Sequence, residues 1–245
     1  MKITMVIPTY NESENLPKLV DEVLSLPLDD IHILIVDDNS PDGTGDLAET
    51  LREKYNGRIH CLHRAGKMGL GSAYREGFRK AMEEGADYIG QMDADFSHPI
   101  DKIPLMAKEL ENADLVIGSR YVKGGKLDEN WPFYRKWLSA FGNAYARTIL
   151  GLPNHDVTGG FKLWKKETLQ AMPMDTIKSN GYVFQVEMNY VASKMGFKIV
   201  EIPIYFQERT MGKSKMNMKI SIEAAWRTIA LRFQHGDVKK VVNRQ

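Results

Sequence analysis

The segment 92–99, Met-Asp-Ala-Asp-Phe-Ser-His-Pro, carries two carboxylates separated by one residue. Residues two apart on an extended chain point the same way, so Asp93 and Asp95 can converge on one point. Two carboxylates that close repel each other, and a hard divalent cation with oxygen ligands relieves the repulsion. Because Mg²⁺ usually combines one or two protein carboxylates with waters and phosphate oxygens, the pair predicts a cation that bridges a diphosphate. Helix capping ahead of Pro99 is the structural alternative.

Two further polar segments follow apolar runs nearer the amino end. They are residues 8–12 (Pro-Thr-Tyr-Asn-Glu) and residues 37–44 (Asp-Asp-Asn-Ser-Pro-Asp-Gly-Thr). Helix capping by Asn11 or Ser13 and a turn at 40–43 would explain part of this pattern. Capping and turn formation do not explain the adjacent carboxylates of Asp37 and Asp38, which can accept hydrogen bonds from a base N–H or a ribose hydroxyl. This arrangement favours nucleotide binding.

Strand and helix patterns alternate along the first half of the chain. Apolar, β-branched runs occupy 2–7, 31–36, 58–62, 87–92 and 114–118, and helix-like stretches occupy about 13–25, 44–55, 70–84 and 99–110. This alternation predicts an α/β fold with a mainly parallel sheet, helices on both faces and right-handed crossovers. Ligands of such sheets bind beyond the carboxyl ends of the strands, where the acidic segments lie.

The alternation fades beyond about residue 120. The pattern there predicts helices near 133–150 and 182–195, a strand near 198–206 and a last helix near 217–234. No Pro/Gly/Ser linker or internal repeat divides the chain, so we predict a single domain over residues 1–245. Residues 216–233 could form an amphipathic helix, either packed on the core or lying on a membrane surface.

Composition excludes several classes of protein. The chain is 43% hydrophobic and 27% charged, which excludes a wholly disordered chain, and its net charge of +1 does not suggest a nucleic-acid partner. The single cysteine, Cys61, excludes an intramolecular disulfide and a cysteine-based zinc cage, and the histidines show no zinc-ligand spacing. No window approaches the roughly 18 apolar residues of a membrane span. The amino end does not read as a signal peptide, so we predict a cytoplasmic protein.

Three segments in chain order, 8–12, 36–44 and 92–99, resemble the nucleotide-sugar motifs of family 2 glycosyltransferases with the GT-A fold. Within that family, residues 156–161 (Asp-Val-Thr-Gly-Gly-Phe) and 209–215 (Arg-Thr-Met-Gly-Lys-Ser-Lys) resemble the branch that mannosylates a polyprenyl phosphate, the dolichol-phosphate mannose synthases. The resemblance covers residues 3–215, and its specificity lies in the conjunction of the motifs.

This resemblance implies residues that hold the donor and a metal ion. The residues that would hold guanine and ribose are Pro8, Tyr10, Glu12, Val36, Asp37 and Asp38. Asp93 and Asp95 would bind Mg²⁺ or Mn²⁺, with Ala94 beside the nucleotide. Several relatives have Gln two residues after the second aspartate as a further metal neighbour, whereas this chain has Ser97, which could help through a water.

The resemblance also implies cations for the phosphates of the donor and the acceptor, namely Arg120, Arg209 and Lys215, which we assign to the catalytic and donor sites. For the acceptor phosphate we predict Arg120, Arg135 and Ser214. A diphosphate and a phosphate in one cleft do require local cations in a near-neutral protein. Arg120 and Arg209 each follow a predicted strand, whereas Arg135 and Arg147 lie on helical patterns where solvent exposure is the default. Gly212 beside Lys213 suggests a mobile loop that closes over phosphate. The alternative is an ordinary basic surface loop.

The predicted activity is an inverting, metal-dependent transfer of mannose from GDP-mannose to a polyprenyl (dolichyl-type) monophosphate. Residues 1–120 would form the nucleotide-sugar-binding half, 121–215 the acceptor half, and 216–245 a C-terminal helix and tail. A phosphate oxygen is already ionised near neutral pH, so this nucleophile does not need a strongly tuned general base. Asp156 could orient the sugar or the acceptor, or simply form a turn.

Three alternatives compete with this activity. The nearest keeps the fold and uses another donor, such as UDP-glucose or UDP-N-acetylglucosamine, or a glycan acceptor. A nicotinamide-dependent oxidoreductase is disfavoured because residues 8–12 stand where a glycine-rich turn should follow the first strand. A non-catalytic scaffold would lack the acidic pair and the basic loop, both of which are present.

An isoprenoid acceptor implies contact with a membrane. A chain without a predicted span must reach the lipid through an interfacial surface, for which the last helix is the candidate, or through a membrane-anchored partner subunit. We therefore predict a peripheral position on the cytoplasmic face of the membrane, with no nucleic acid among the partners.

Overall fold

The computed structural model describes residues 1–208 and 218–241, and a seven-stranded sheet lies at its centre. The strands are β1 (Ile3–Thr9), β2 (Ile31–Asp37), β3 (Ile59–His63), β4 (Tyr88–Gln91), β5 (Leu115–Ser119), β6 (Lys126–Leu127), β7 (Lys162–Lys165), β8 (Ile199–Pro203) and β9 (Tyr205–Phe206). The order in the central sheet is β3-β2-β1-β4-β7-β5-β8, and β6 pairs with β9 in a separate ribbon. Within the central sheet β7 runs antiparallel to β4 and β5, and the other pairs are parallel. The predicted mainly parallel sheet is confirmed.

Helices connect the parallel strands, as crossover connections require. They are α1 (Leu16–Leu24), α2 (Thr44–Lys54), α3 (Leu70–Glu83), α4 (Ile103–Leu110), α5 (Phe133–Leu150), α6 (Lys166–Ala171), α7 (Tyr182–Lys194) and α8 (Met218–Gln234), with short 3₁₀ helices at Ile100–Lys102 and Met174–Thr176. Both halves of the chain contribute strands to the one sheet, since β7 and β8 of the second half lie beside β4 and β5 of the first. This shared sheet agrees with the single-domain prediction.

The sheet has an apolar core on each face. Met5 and Ile7 of β1 pack with residues of α1, α2 and α4, whereas Val6, between them, packs on the opposite face with residues of α3 and α7. Because both faces are covered, these strands are apolar at nearly every position instead of alternating with polar residues. Burying each such side chain contributes about 1.5–3 kcal/mol, so the two cores hold the strand ends in fixed positions.

Strand β7 was not predicted from the sequence. Its four residues begin and end with lysine, and Lys162 is fully buried between β4 and β5. A run this short with charged ends has no recognisable strand period, and its pairing depends on partners far away in the chain. The strand nevertheless joins the two halves of the sheet.

Several predicted boundaries shift. The first helix begins at Leu16 and its N-cap, Asn15, makes no side-chain capping bond, so the predicted capping by Asn11 or Ser13 is wrong. The helix predicted over 99–110 is divided into a 3₁₀ turn and α4. The strand predicted over 198–206 is divided into β8 and β9 after Pro203, which has no N–H to donate to a ladder.

The C-terminal helix forms as predicted and has two different faces. Thr228 and Leu231 are buried against the body of the protein, where α8 contacts α5 and α7. Trp226 and Phe233 are 70% and 78% exposed. Among the described residues, no helix combines the length and apolar character needed to cross a bilayer.

Candidate active site

The acidic segments predicted from the sequence meet at one edge of the sheet. Strands β1, β2 and β4 are mutually parallel, so their carboxyl ends lie together. The residues that follow them include Asn11, Asn39 and Phe96, whose φ angles are 62°, 57° and 59°. A left-handed conformation is costly for a residue other than glycine, most of all for a bulky one such as Phe96. Asparagine tolerates this conformation, so the strain lies mainly at Phe96, in the loop after β4.

The loop after β4 holds the acidic pair. Asp95 is buried, and its Oδ1 accepts a hydrogen bond from the Ser97 N–H at 3.1 Å. Asp93 is half-buried; its N–H donates to His98 Nδ1 at 3.1 Å, and its carboxylate lies 3.5 Å from the Tyr74 hydroxyl. These bonds fix the loop, so the two aspartates belong to an ordered strand end rather than to a helix cap before Pro99.

The donors in this loop suit a hard divalent cation. Asp93 and Asp95 offer carboxylate oxygens, and the buried Ser97 Oγ has no hydrogen-bond partner among the described residues. Within residues 1–208 and 218–241, no group of three or more His, Cys, Asp and Glu side chains could hold a metal. Two carboxylates and a hydroxyl leave coordination positions for water and phosphate oxygens, as Mg²⁺ and Mn²⁺ sites prefer. The residues therefore fit the predicted cation.

His98 supports this loop from behind. The ring is buried, stacks on Phe161 at 5.2 Å between centroids and meets Phe206 edge-on at 5.5 Å. Because its Nδ1 accepts the Asp93 N–H, the ring proton belongs on Nε2 when the histidine is neutral.

The loops after β1 and β2 are bound to each other. The N–H groups of Asn11, Glu12 and Ser13 donate to Ser40 Oγ, Thr44 Oγ1 and Asp42 Oδ2, at 3.0, 3.0 and 3.1 Å. Burial raises the pKa of Asp42, but hydrogen bonds from Thr44 and Ser13 outweigh it and lower the pKa to about 2. The predicted turn at 40–43 is present, with Gly43 at a φ of 84° preceding α2.

Asp37 and Asp38 serve different purposes. The Asp37 carboxylate accepts hydrogen bonds from Thr9 Oγ1 at 3.0 Å and from the N–H and hydroxyl of Ser40 at 3.0 and 2.6 Å, so it is engaged in holding its own loop. Asp38 is ion-paired with Arg64, which is itself buried and also bonds Glu76. Burial raises the pKa of Asp38, and Arg64 opposes that effect. Nucleotide binding by Asp38 stays a prediction, with its carboxylate oriented by Arg64.

Sequence reasoning overlooked Arg64, although the signal was available. The residue directly follows β3, at the same sheet edge as the acidic segments. Strand-end placement was the criterion that singled out Arg120, and applying it to the third strand would have found Arg64 as well.

Three other residues predicted to hold the nucleotide lie at this edge with different accessibility. Tyr10 is half-buried, and the Lys67 ammonium lies 3.8 Å from its ring centroid. Pro8 is half-buried at the end of β1. The Val36 side chain is fully buried in the core, so any contact with a nucleotide is confined to its backbone.

Arg120 follows β5 and is held by Asp156. Its backbone N–H and Nε donate to Asp156 Oδ2 at 2.9 and 2.8 Å, and its Nη2 donates to Asp156 Oδ1 at 2.8 Å. The pair is almost fully buried, with side-chain exposures of 10% and 0%. Burial raises the pKa of Asp156, but Arg120 and the Gly159 N–H outweigh it and hold the pKa below its ordinary value. Asp156 is thus a carboxylate that positions Arg120.

Arg135 departs from the solvent-exposed default expected for its helical pattern. Its guanidinium lies 3.7 Å from the Trp131 ring centroid, and Nη1 donates to Glu208 Oε1 at 2.7 Å. The side chain is 24% exposed and lines the same cavity as Arg120. Arg147, by contrast, bonds the carbonyls of Leu152 and Pro153 and lines a separate cavity of about 480 Å³.

The site opens into a cavity of about 360 Å³ whose lining is partly polar and partly apolar. The polar part of the lining, called the polar wall below, includes Asp93, His98, Arg120, Arg135, Thr158 and Gln185. The apolar wall comes from α5, α7 and α8 and includes Leu138, Phe141, Ala146, Val183, Val186 and Ala224. A cavity of this size accepts part of a ligand that is anionic at one end and hydrocarbon at the other.

The predicted site residues Arg209, Ser214 and Lys215 lie outside the described residues, as do Gly212 and Lys213. The structure does bring Asp93, Arg120 and Arg135, which come from three different segments, to the lining of one cavity.

Lys162 leads to a prediction about pH. Burial lowers its pKa to about 7, and Asp156 opposes that effect. The unfolded chain has an ordinary lysine pKa of about 10.4, so between pH 7 and 10 the unfolded state binds more protons and stability rises with pH. Urea unfolding from pH 7 to 10 should show wild-type stability rising by up to about 1.4 kcal/mol per pH unit relative to Lys162→Met. Parallel curves for the two proteins would contradict the shift.

Comparison with known families places these features in context. Residues 4–172 match the family described as Glycosyl transferase family 2. An undecaprenyl-phosphate mannosyltransferase of Micrococcus luteus is 46% identical over 225 residues, which cover 91% of this chain and 91% of that protein. A polyprenol monophosphomannose synthase of Mycolicibacterium smegmatis is 44% identical over 214 residues, which cover 87% of this chain and 80% of that protein.

Solved structures support the fold. A mannosyltransferase from Pyrobaculum calidifontis, in complex with GDP-Man and Mn²⁺, matches with a TM-score of 0.59 at 17% identity. The match covers 87% of this chain and 58% of that chain. At 17% identity, this structural similarity shows a shared fold without assigning roles to residues. The predicted GT-A fold class is confirmed.

Proposed function

The chain belongs to glycosyl transferase family 2, and we therefore propose that it transfers mannose from GDP-mannose to a polyprenyl monophosphate with inversion at the sugar carbon. Two relatives at 46% and 44% identity are named for mannose and for an undecaprenyl or polyprenol acceptor, which supports the sugar and the lipid. The main support for the proposal is the cavity, because its lining combines the charged residues of the polar wall with the residues of the apolar wall.

The polar wall has the charges that such a reaction needs. Asp93 and Asp95 would hold a divalent cation, which would supply positive charge for the diphosphate of the donor. Asp156 engages Nε and Nη2 of Arg120, and Nη1 has no partner among the described residues, so Nη1 is left to donate to a phosphate. Arg135, steadied by Trp131 and Glu208, adds a second cation on the same wall. These groups hold anionic oxygens in place without forming a covalent bond to them.

The chemistry is a single displacement. An ionised oxygen of the lipid phosphate attacks the sugar carbon from the face opposite the nucleotide, and the bond to the diphosphate breaks with GDP leaving as the anion. Since the nucleophile carries its charge already, no side chain has to remove a proton from it. The apolar wall from α5, α7 and α8 keeps water from competing with the lipid. The role of this chain is therefore positioning and charge stabilisation.

Radiolabel transfer from a panel of nucleotide sugars to short-chain polyprenyl phosphate, with and without Mg²⁺ or Mn²⁺, tests the proposal. Incorporation from GDP-mannose that depends on the metal is the expected result. Incorporation from UDP-glucose or UDP-N-acetylglucosamine instead would overturn the donor. Nucleotide-sugar binding without any lipid product would overturn the acceptor and point to a glycan.

We further propose that an aromatic surface on α5 and α8 meets the membrane. Its members are Phe133, Tyr134, Trp137, Phe141, Trp226 and Phe233, all more than half exposed. Phe133, Trp137 and Phe141 recur every four residues on α5, so they form one stripe, and Trp137 stacks on Phe141 at 5.2 Å between centroids. Phe141 also lines the cavity, which joins this surface to the site. Exposed aromatic groups of this kind partition into the membrane interface.

Replacing Trp137 with Glu should weaken vesicle binding about tenfold, because burying a large apolar side chain is worth about 1.5–3 kcal/mol. Cosedimentation with phospholipid vesicles measures the effect. Leu105→Glu makes a comparable change at a 41% exposed position on α4 and should leave binding unchanged. Equal binding by all three proteins would contradict the assignment of this surface.

A further inference from the structure

A buried glutamine on α7 points an amide group into the cavity. Gln185 is 3% exposed and lines the same cavity as Asp93 and Arg120. Its Oε1 accepts hydrogen bonds from Lys162 Nζ at 2.8 Å and from Gln91 Nε2 at 3.1 Å. Its Nε2 has no acceptor among the described residues. This amide nitrogen is accessible from the cavity, where it can donate a hydrogen bond to a ligand.

The orientation of this amide follows from its neighbours. The Trp164 indole can only donate, and its Nε1 donates to Gln91 Oε1 at 2.7 Å. Gln91 must therefore donate to Gln185 through its NH₂ group, so the Gln185 atom that accepts this bond must be the oxygen Oε1. Lys162 also bonds the Gln185 main-chain carbonyl at 3.1 Å and independently favours an oxygen at the same place. Two separate anchors thus hold Oε1 inward and turn Nε2 away from the core.

Nε2 lies beside the reactive part of the site. A Cβ added to Gly160 would lie 3.5 Å from Gln185 Nε2 and 3.6 Å from His98 Cε1. His98 holds the backbone of Asp93, so the amide borders the acidic loop. The missing side chain at residue 160 leaves room for a ligand atom next to the amide.

We propose that Gln185 Nε2 donates a hydrogen bond to an oxygen of the reacting groups bound between Asp93 and Arg120. Two sources of that oxygen share this chemistry: a hydroxyl of the transferred sugar and a phosphate oxygen of the lipid acceptor. Gln91, Lys162 and Trp164 are positioning residues that act through Gln185. The inference rests on the proposed function and adds a substrate contact to it.

Two substitutions test the donor. Gln185→Glu keeps an oxygen for Lys162 and Gln91 but replaces the NH₂ group, and Gln185→Met removes the donor without adding charge. Both should lower kcat/KM about tenfold to a hundredfold, as expected for a lost hydrogen bond to an anionic or transition-state oxygen. Gln207→Glu is the matched control, because Gln207 is exposed while its N–H bonds the Ser97 carbonyl close to the acidic loop. This control should keep wild-type kinetics, and melting curves should show all variants folded.

The kinetic constants separate the two sources of oxygen. A raised KM for GDP-mannose with unchanged affinity for GDP assigns the bond to the sugar, whereas a raised KM for polyprenyl phosphate assigns it to the acceptor. Wild-type kcat/KM in Gln185→Met would overturn the proposal, even if Gln185→Glu is impaired, because charge alone would then explain the loss. Failure of the wild-type protein to transfer mannose would count against the proposed function. Calorimetric binding of each nucleotide sugar and of short-chain polyprenyl phosphate to wild type and Gln185→Met would still test the donor in that case, and equal affinities of the two proteins for both kinds of ligand would overturn it.

Discussion

Replacing Asp95 with Asn should lower mannosyl transfer by about 10³-fold while the fold is kept, because it removes a buried negative charge that the cation requires. The asparagine oxygen can still accept the Ser97 N–H, so the loop after β4 stays in place. Transfer from labelled GDP-mannose, measured over a titration of Mn²⁺, checks the effect. We expect that the remaining activity needs a higher metal concentration than the wild type.

Asp101→Asn is a suitable control for this loss of a carboxylate. Asp101 lies six residues further on, with its side chain 72% exposed, and it pairs only weakly with Lys102 at 3.4 Å. Its substitution should leave both rate and metal dependence unchanged. Wild-type turnover in Asp95→Asn, together with activity that survives a chelator, would refute the metal assignment.

Replacing Asp156 with Asn should lower the free energy of unfolding by about 3–5 kcal/mol, because the buried Arg120 cation loses its counter-charge. For a domain of this size the melting temperature should fall by about 10 °C. Transfer should fall as well, since Asp156 fixes the guanidinium through its bonds to Nε and Nη2. Urea unfolding monitored by circular dichroism measures the stability.

Two further variants separate stability from catalysis at this pair. Glu223→Gln breaks the exposed Arg227 pair on α8 and should cost less than about 1 kcal/mol. The double variant Arg120→Met with Asp156→Leu removes both buried charges and should recover part of the lost stability while remaining inactive. An Asp156→Asn protein as stable as the wild type would show that the buried pair contributes nothing to the fold.

The first half of the molecule was predictable because its signals are local. Each apolar run became a strand of 4–7 residues, and each polar segment after a run became a strand-end loop. Asp93 and Asp95 could be singled out for the same reason, since two-residue spacing on an extended chain aligns side chains whatever lies around them. Capping by Asn11 or Ser13 was wrong because their N–H groups bond side chains from a loop almost thirty residues away.

The second half was less predictable because its elements depend on contacts with residues that are distant in the sequence. β7 is a four-residue strand that exists through its antiparallel pairing with β4 and β5. Arg135 lies on a helix whose pattern predicted exposure, yet Trp131 and Glu208 draw it to the cavity wall. Neither the ring contact nor the ion pair with a residue 73 positions away can be read from periodicity.

By itself, the sequence determined the sheet class, the sheet edge at which the candidate site lies and the acidic pair, because strand period and strand-end position depend on neighbours along the chain. Only the tertiary structure decided that Asp156 binds Arg120, that Arg64 orients Asp38, and that Gln185 turns its amide into the cavity. These contacts join residues 26 and 36 positions apart at the two ion pairs and 94 positions apart between Gln91 and Gln185. The free energy of burying a charge or an amide depends on the ion-pair or hydrogen-bond partner that it finds, and the packing of the elements determines that partner.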